Sequence, residues 1–457
     1  MNTTEAFVNH FINTNYDALD EETIRRAKLR LLDSFGVAVA GARSIGVDAI
    51  RNVLVRIGGA KEATVLGFGD KLPAAHAAML NALMMRSFDF DTVMNVALDG
   101  EVFPSHLGAC SVPALVAAGE FHNKSGKEIL AAQVLGDDFG ARLTVCSGYA
   151  PTGLFDNTGT SSGMAAAAAV SKLYDLDAAQ FLNALGLMVN MISGSTMNVM
   201  QACMTFKFPM ANAARNAVFA ADFARNGYTA MKDPITDPKG YFAMFGGDHH
   251  TEHLLTKLGE VYLGDAVIKP WPGCRETHMG VHAVLEATGG IPIDPDEVES
   301  FVVYLDEETP SFLNADFTFG DTNQVQGAFS GRFTAASAAL NGYLRPESYL
   351  PDAMTAPKLS KMLDIMRIET DGSLGSLWHS RARIELKDGT IYESDVDYTL
   401  GDFDRSPLDD ERVLEKFYRN VAYAGLVDCK QAERAAELLL NVEELDSLDE
   451  IFDNLTA

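Results

Sequence analysis

From Phe181 to Phe206 the chain carries no charged side chain, and that stretch leaves few architectures open. It is long enough to span a bilayer. It also holds Asn183, Asn190, Ser193, Ser195, Thr196, Asn198 and Gln201. Hydrocarbon would strand those groups at a cost of several kcal/mol if they found no partner. The stretch is therefore expected to form the centre of a soluble helical core, with no membrane span.

The sequence around it agrees. Apolar residues make up 47% and charged residues 22% of 457 residues, an ordinary globular balance that excludes extensive disorder. At ~150 residues per domain the length allows roughly two or three domains. Lys plus Arg number 36 against 63 Asp plus Glu, a net charge of −27. Such a surface repels nucleic acid and anionic membrane, so an acidic substrate needs a local basic pocket. The five cysteines, Cys110, Cys146, Cys203, Cys274 and Cys429, are scattered and contain no CxxC. Together with the lack of a leader-like pattern over Met1 to Tyr16, this points to the cytoplasm.

Three segments are distinguishable. Residues 1–268 read as helices. Apolar positions Ile24, Ala27, Leu31 and Phe35 form a stripe, Ser125 with Glu128 and Asp177 with Gln180 form capping boxes, and Ala165 to Ala169 favours close helix packing. Residues 269–403 read as a smaller α+β lid. Glu297 to Leu305 alternates like a strand, and Arg381 to Leu386 with Ile391 to Ser394 flank an Asp388-Gly389 turn. Residues 404–457 return to helix, and the acids after Gln431 read as a solvated face. The fold class is mainly α with a smaller α+β domain.

Four clusters carry candidate chemistry. Asp89-Phe90-Asp91-Thr92, followed by Ser105-His106, offers two carboxylates and an imidazole; the acids either serve the site, as a weak divalent-metal pair or otherwise, or cap turns. Asp156-Asn157-Thr158-Gly159 opens the alanine helix, either as an anion-binding helix start or as a plain cap. Lys207 is the only charge between Asp177 and Arg215; it either snorkels or is kept buried as a base of lowered pKa. Lys269-Pro-Trp-Pro-Gly-Cys274-Arg275-Glu-Thr-His278 is a rigid loop presenting two cations, a thiol and an imidazole. Asp248-His249-His250-Thr-Glu-His253 lacks a metalloprotease order, and no metal is expected there.

With these residues in place, the chain resembles the MmgE/PrpD family over nearly its whole length. The similarity runs through Arg30-Leu-Leu-Asp-Ser-Phe-Gly36, Ala78-Met-Leu-Asn-Ala82 with Asp89-Phe-Asp-Thr92, His106, Thr158-Gly-Thr160 and Lys207. It continues through Lys269-Pro-Trp-Pro-Gly-Cys274 with Thr277-His278, Leu386-Lys-Asp-Gly389, Pro407-Leu408 and Lys416-Phe417, in the expected order. The resemblance implies a helical domain plus lid, usually dimeric, with the site between them and no metal or organic cofactor. It implies Asp89, Thr92, His106, Lys207, Lys269 and His278 in that cleft; His106, Lys207, Lys269, Asp89 and His278 are expected to be catalytic, and Thr92, together with Asp156, Arg275, Cys274 and Arg86 read from this chain's own residues, to bind the substrate. The family includes 2-methylcitrate dehydratases, cis-aconitate decarboxylases and iminodisuccinate epimerases. The expected activity is thus a cofactor-independent lyase or isomerase acting on a small carboxylate, foremost a dehydratase. Decarboxylation, epimerisation and carboxylate binding without catalysis are the alternatives.

The chain departs from that pattern at named positions. Asp156 stands where the family usually has histidine, Phe333 where tyrosine is common, and Arg86 near an expected histidine; Pro209 or Met210 follows the lysine. Losing a histidine and a tyrosine removes two proton donors and points to a changed substrate. Lys207, Lys269 and Arg275 are expected to converge on one anion pocket, and Asp156 is expected to face His106.

Overall fold

The computed structural model describes residues 3–98, 101–147, 153–246, 250–307, 309, 311–314, 323–376, 378–402 and 404–457. The chain is mainly helical, with small sheets. Helix Ala74–Met85 is buried at every position but His76, because a helix apolar all round must be covered all round. Helices Glu21–Gly41, Gly108–Phe121 and Phe208–Arg225 pack against it.

Behind these, helix Gly126–Ser147 lies against the alanine helix Ser161–Leu173. A β-carbon added at Gly136 would sit 2.5 Å from the Ala169 Cβ, and one at Gly140 2.6 Å from the Ala165 Cβ. Glycine facing alanine is what lets the two helices approach this closely. Both expected capping boxes form. Ser125 and Glu128 exchange bonds of 2.9 and 3.4 Å, and Asp177 and Gln180 bonds of 3.2 and 2.9 Å.

The uncharged stretch needs a correction. Helix Ala178–Val189 is buried on one face only, and beyond it the stretch holds only the short helix Met197–Met200 and a 3-10 turn, Met204–Lys207. Met197, Met200 and Met204 are exposed by 54%, 58% and 44%. Absence of charge marked a buried helix for half its length and an apolar surface for the rest. No helix among the described residues is long and apolar enough to cross a membrane.

A four-stranded sheet runs in the order Met366–Thr370, Val298–Leu305, Ser380–Leu386, Ile391–Val396. The first pair is parallel, with Phe301 opposite Met366, and the others are antiparallel. Phe301, Val303 and Leu305 point into the core, as the alternation predicts, and a register shift between Val298 and Ser300 leaves Val298 buried as well. Helices His278–Thr288 and Gly331–Asn341 pack together beside the sheet. The Asp388-Gly389 hairpin forms, with Gly389 at φ +89°.

A second, smaller sheet positions the site. Strand Val93–Leu98 pairs antiparallel with Glu101–Ser105, Met94 opposite Ser105, and also with Ala266–Val267, Val93 opposite Val267. This register brings the start of one strand, the end of a second and the end of a third to one place. Asp91, His106 and Lys269 all lie one or two residues beyond those strand ends. Helix Asp410–Ala424 then packs along Glu21–Gly41, bringing Lys416 to within 2.6 Å of Asp33.

Candidate active site

The Arg86–Thr92 turn follows directly on helix Ala74–Met85. Arg86, Asp89, Asp91 and Thr92 are all buried. A charge in that position survives only if it is paired. Arg86 Nη1 donates to Asp89 Oδ1, and to Asp91 Oδ1 at 3.1 Å. Lys269 Nζ donates to the Asp89 carbonyl at 2.7 Å and to Asp89 Oδ1 at 3.0 Å. Asp89 sits at φ +48°, a left-handed conformation that costs a residue with a Cβ on the order of 1 kcal/mol or more. Lys269 grips both its carbonyl and its carboxylate, and so holds it there. Arg86 bonds both carboxylates and Lys269 bonds Asp89, so the chain's own cations answer the negative charge of this turn.

His106 completes the group. Its Nδ1 lies 2.8 Å from Asp91 Oδ2, and its Nε2 lies 3.9 Å from Asp89 Oδ1. A carboxylate on Nδ1 makes that nitrogen the N–H donor and leaves Nε2 with a lone pair. Burial first, then the Arg86 charge, pulls the imidazole down to about 4 against the opposing pull of Asp91. Burial raises the Asp91 carboxyl, but His106 and Arg86 outweigh it and hold the group well below the usual carboxylate range. At neutral pH the pair is thus a neutral imidazole on an ionised carboxylate. Side-chain exposure of 16% leaves His106 in reach of a ligand.

The two lysines are buried and depressed. Burial moves Lys269 down to about 8 against the pull of Asp91. Lys207, with desolvation alone acting on it, falls to about 7. Its Nζ donates to the Ile45 carbonyl at 2.6 Å, to Ser44 Oγ at 3.1 Å and to Ser87 Oγ at 3.3 Å. Ser87 belongs to the same turn as Asp89, so the two lysines hold one turn at positions two residues apart. Thr92 lies against the start of helix Gly108–Phe121, where a Cβ on Gly108 would come 2.7 Å from its Oγ1.

Other expected residues are placed differently. Arg275 is buried, and its guanidinium donates to the carbonyls of Leu400 (2.6 Å) and Thr399 (2.9 Å) and stacks on Trp378. It fastens the 399–400 segment and, among the described residues, makes no hydrogen bond to the turn that Lys207 and Lys269 hold. Cys274 Sγ donates to Glu276 Oε2 at 2.6 Å. Burial and then the Glu276 charge push its thiol well above the ordinary value, which disfavours the thiolate that a nucleophile needs. Asp156 caps the turn after it, accepting from the Thr158 N–H at 3.0 Å, while its Oδ2 is buried without a partner. It forms no hydrogen bond with His106. His278 starts its helix edge-on to Trp271 at 5.5 Å. Burial, then Arg275 and Lys269, drives it well below the ordinary histidine value. Of the Asp248–His253 cluster, Asp248 and His249 lie outside the described residues. His250, Glu252 and His253 gather on the surface.

Sequence reasoning left two groups unassigned. Lys416 and Asp33, both buried, form an ion pair of 2.6 Å, and Lys416 Nζ also reaches the Phe90 carbonyl at 3.3 Å. Gln324 joins Lys207's shell, donating to Ser44 Oγ at 2.8 Å. The one available signal was Lys416 on the apolar face of its helix, beside Val413, Phe417, Asn420 and Val421.

A family model described as the MmgE/PrpD N-terminal domain matches residues 5–254, and the MmgE/PrpD C-terminal domain matches 271–444. The chain is similar to the cis-aconitate decarboxylase of Mus musculus, 24% identical over 471 residues, with 98% of this chain and 91% of the relative covered. It is likewise similar to the cis-aconitate decarboxylase of Aspergillus terreus, 24% identical over 475 residues, covering 97% and 94%. The enzyme of that name from Homo sapiens is 23% identical over 466 residues, covering 97% and 92%.

Proposed function

The chain belongs to the MmgE/PrpD family, and from that premise we propose that it is a lyase that moves a proton at a carbon next to a carboxylate of a small di- or tricarboxylic acid. The observation that carries the reading is the 2.8 Å His106 Nδ1–Asp91 Oδ2 contact, with Lys269 on the adjoining Asp89. A neutral imidazole fixed through Nδ1 presents Nε2 as a general base. It removes the proton, and the electron pair moves into the adjacent carboxylate as an enolate. Lys207 and Lys269 supply positive charge on the site's side of the turn. If a β-hydroxyl is present, it leaves with a proton as water. The substrate's own carboxylate takes up the electron pair, so the scheme calls for no cofactor.

The relatives' names favour a second course through the same groups. There the C–C bond to a carboxylate breaks, CO2 leaves, and the carbanion takes a proton from the site. Lys207, depressed to about 7, is poised to give it. Asp156 bears on the choice: its unpartnered, buried Oδ2 disfavours a third carboxylate nearby and suits a hydroxyl or amino group. Incubation with a panel of hydroxy-, methyl- and unsaturated di- and tricarboxylates, cis-aconitate included, is read by mass. Loss of water identifies a dehydratase and loss of CO2 a decarboxylase. Binding without turnover of any acid counts against the lyase reading.

The exposed apolar face belongs to this reading too. Leu154, Phe155, Met197, Met200, Met204 and Phe208 are exposed by 40% or more, and Phe155 pairs with Ser195. We read this face as the contact between two copies in a homodimer.

A further inference from the structure

Beside the catalytic turn lies a cavity of about 280 Å³, near the lower end of ligand pockets at roughly 300 Å³. None of Arg86, Asp89, Asp91, His106, Lys207 or Lys269 lines it. Its walls come from helix Asp410–Ala424, from the 342–347 segment of the lid and from Trp271. Arg345, Arg412 and Arg419 face it, against the carboxylates of Glu347 and Glu415. In a chain of net charge −27, a surplus of guanidinium at one cavity is a local exception.

Those arginines are poorly answered. Among the described residues Arg419 makes neither a hydrogen bond nor an ion pair, and Arg412 pairs only loosely with Asp409, at 3.6 Å. Burial and then the neighbouring Arg345 charge lower Arg419, against the weaker opposing pull of Glu415 and Glu347. Asn420 is only 2% exposed, lines the cavity, and its Nδ2 has no hydrogen-bond partner. Glu347 Oε2, also at the cavity, is buried and unpartnered. A buried amide donor and a buried carboxylate acceptor left unmade cost about 1–3 kcal/mol each, and a ligand that completes both recovers that cost.

We propose that this cavity binds a small molecule bearing an oxyanion, carboxylate or phosphate, and a hydrogen-bond donor. Arg345, Arg412 and Arg419 hold the oxyanion; a turn of the Asn420 and Glu347 side chains, whose orphaned atoms are now sealed from water, lets Asn420 Nδ2 donate to the molecule and Glu347 Oε2 accept from it. Forked guanidiniums match either oxyanion. The site does not depend on the reaction proposed above. It shares Phe90 and Lys416 with the catalytic turn, Lys416 Nζ lying 3.8 Å from the Phe90 ring centre.

The chain has two tryptophans, and Trp271 lines the cavity. In Trp378→Phe, Trp271 fluorescence is titrated with citrate and, separately, with inorganic phosphate; calorimetry on the unmodified protein repeats both titrations. Saturable binding is expected, weakened roughly tenfold or more by Arg345→Ala and by Arg419→Ala, each removing charge-assisted bonds from an exposed side chain. Saturation by citrate alone assigns the site to carboxylates, by phosphate alone to phosphates, and by both to either oxyanion. No saturable binding of either probe, or binding that both arginine variants leave intact, overturns the proposal.

Discussion

His106 is a base before it is an acid. With its imidazole pulled down to about 4 and Lys269 down to about 8, the free enzyme holds a neutral base and a charged lysine together only between those values. The expected kcat/KM profile is therefore flat from about pH 5 and falls as pH rises through about 7 to 8, where Lys207 and Lys269 lose their protons. A profile that climbs through that range argues against cationic lysines in the mechanism. Lys207 carries a second consequence. Below pH 7 the folded chain keeps a buried ammonium that the unfolded chain hydrates, so the group costs stability there. The cost fades as pH rises from about 7 toward the ordinary lysine value. Lys207→Met is thus expected to lose turnover and gain a few degrees of Tm at pH 6, with the gain vanishing by pH 10. Thermal melts at both pH values check this.

Among the elements, the small sheet does most to assemble the site, and the helix Asp410–Ala424 locks it. Asp33 and Lys416 join two helices far apart in sequence. Burial raises the one and lowers the other against their mutual attraction, the balance typical of a buried pair. Lys416→Met alone leaves Asp33 buried and uncompensated, and a loss of about 3–5 kcal/mol in urea unfolding is expected. Adding Asp33→Leu is expected to restore most of it; a double variant as unstable as the single one would mean that the pair is not the source. At this scale the chain's local signals were readable: the capping boxes, the Asp388-Gly389 hairpin and the Val298–Leu305 alternation each follow from residues within a few positions. What was not readable is direction. Cys274 and Arg275 adjoin Lys269 in sequence, yet a rigid loop does not say where side chains point, and these two turn to Glu276 and to the 399–400 carbonyls. The partnership of Asp33 with Lys416 leaves no trace in spacing. The run Phe181 to Phe206 misled for a related reason, since lack of charge says that a surface is apolar, not which molecule covers it.

For the whole molecule, that face exposes six large apolar side chains to water. Light scattering after size exclusion is expected to give a dimer, and Met197→Glu with Met200→Glu to shift it to a monomer by placing charges at its centre. An unchanged mass would move the interface elsewhere. The joint order of loose motifs identified the family where no single motif did, because the motifs are spread over nearly the whole chain and each constrains the order of the rest. The central claim is that His106, oriented by Asp91, moves a proton at carbon beside a carboxylate. The most direct measurement is solvent deuterium at that carbon, in recovered substrate or product, for an acid that the enzyme turns over in D2O. Incorporation by the unmodified protein and a fall of roughly 10²-fold or more in His106→Gln is the expected result; incorporation at an undiminished rate in His106→Gln, or none in the unmodified protein, would contradict it.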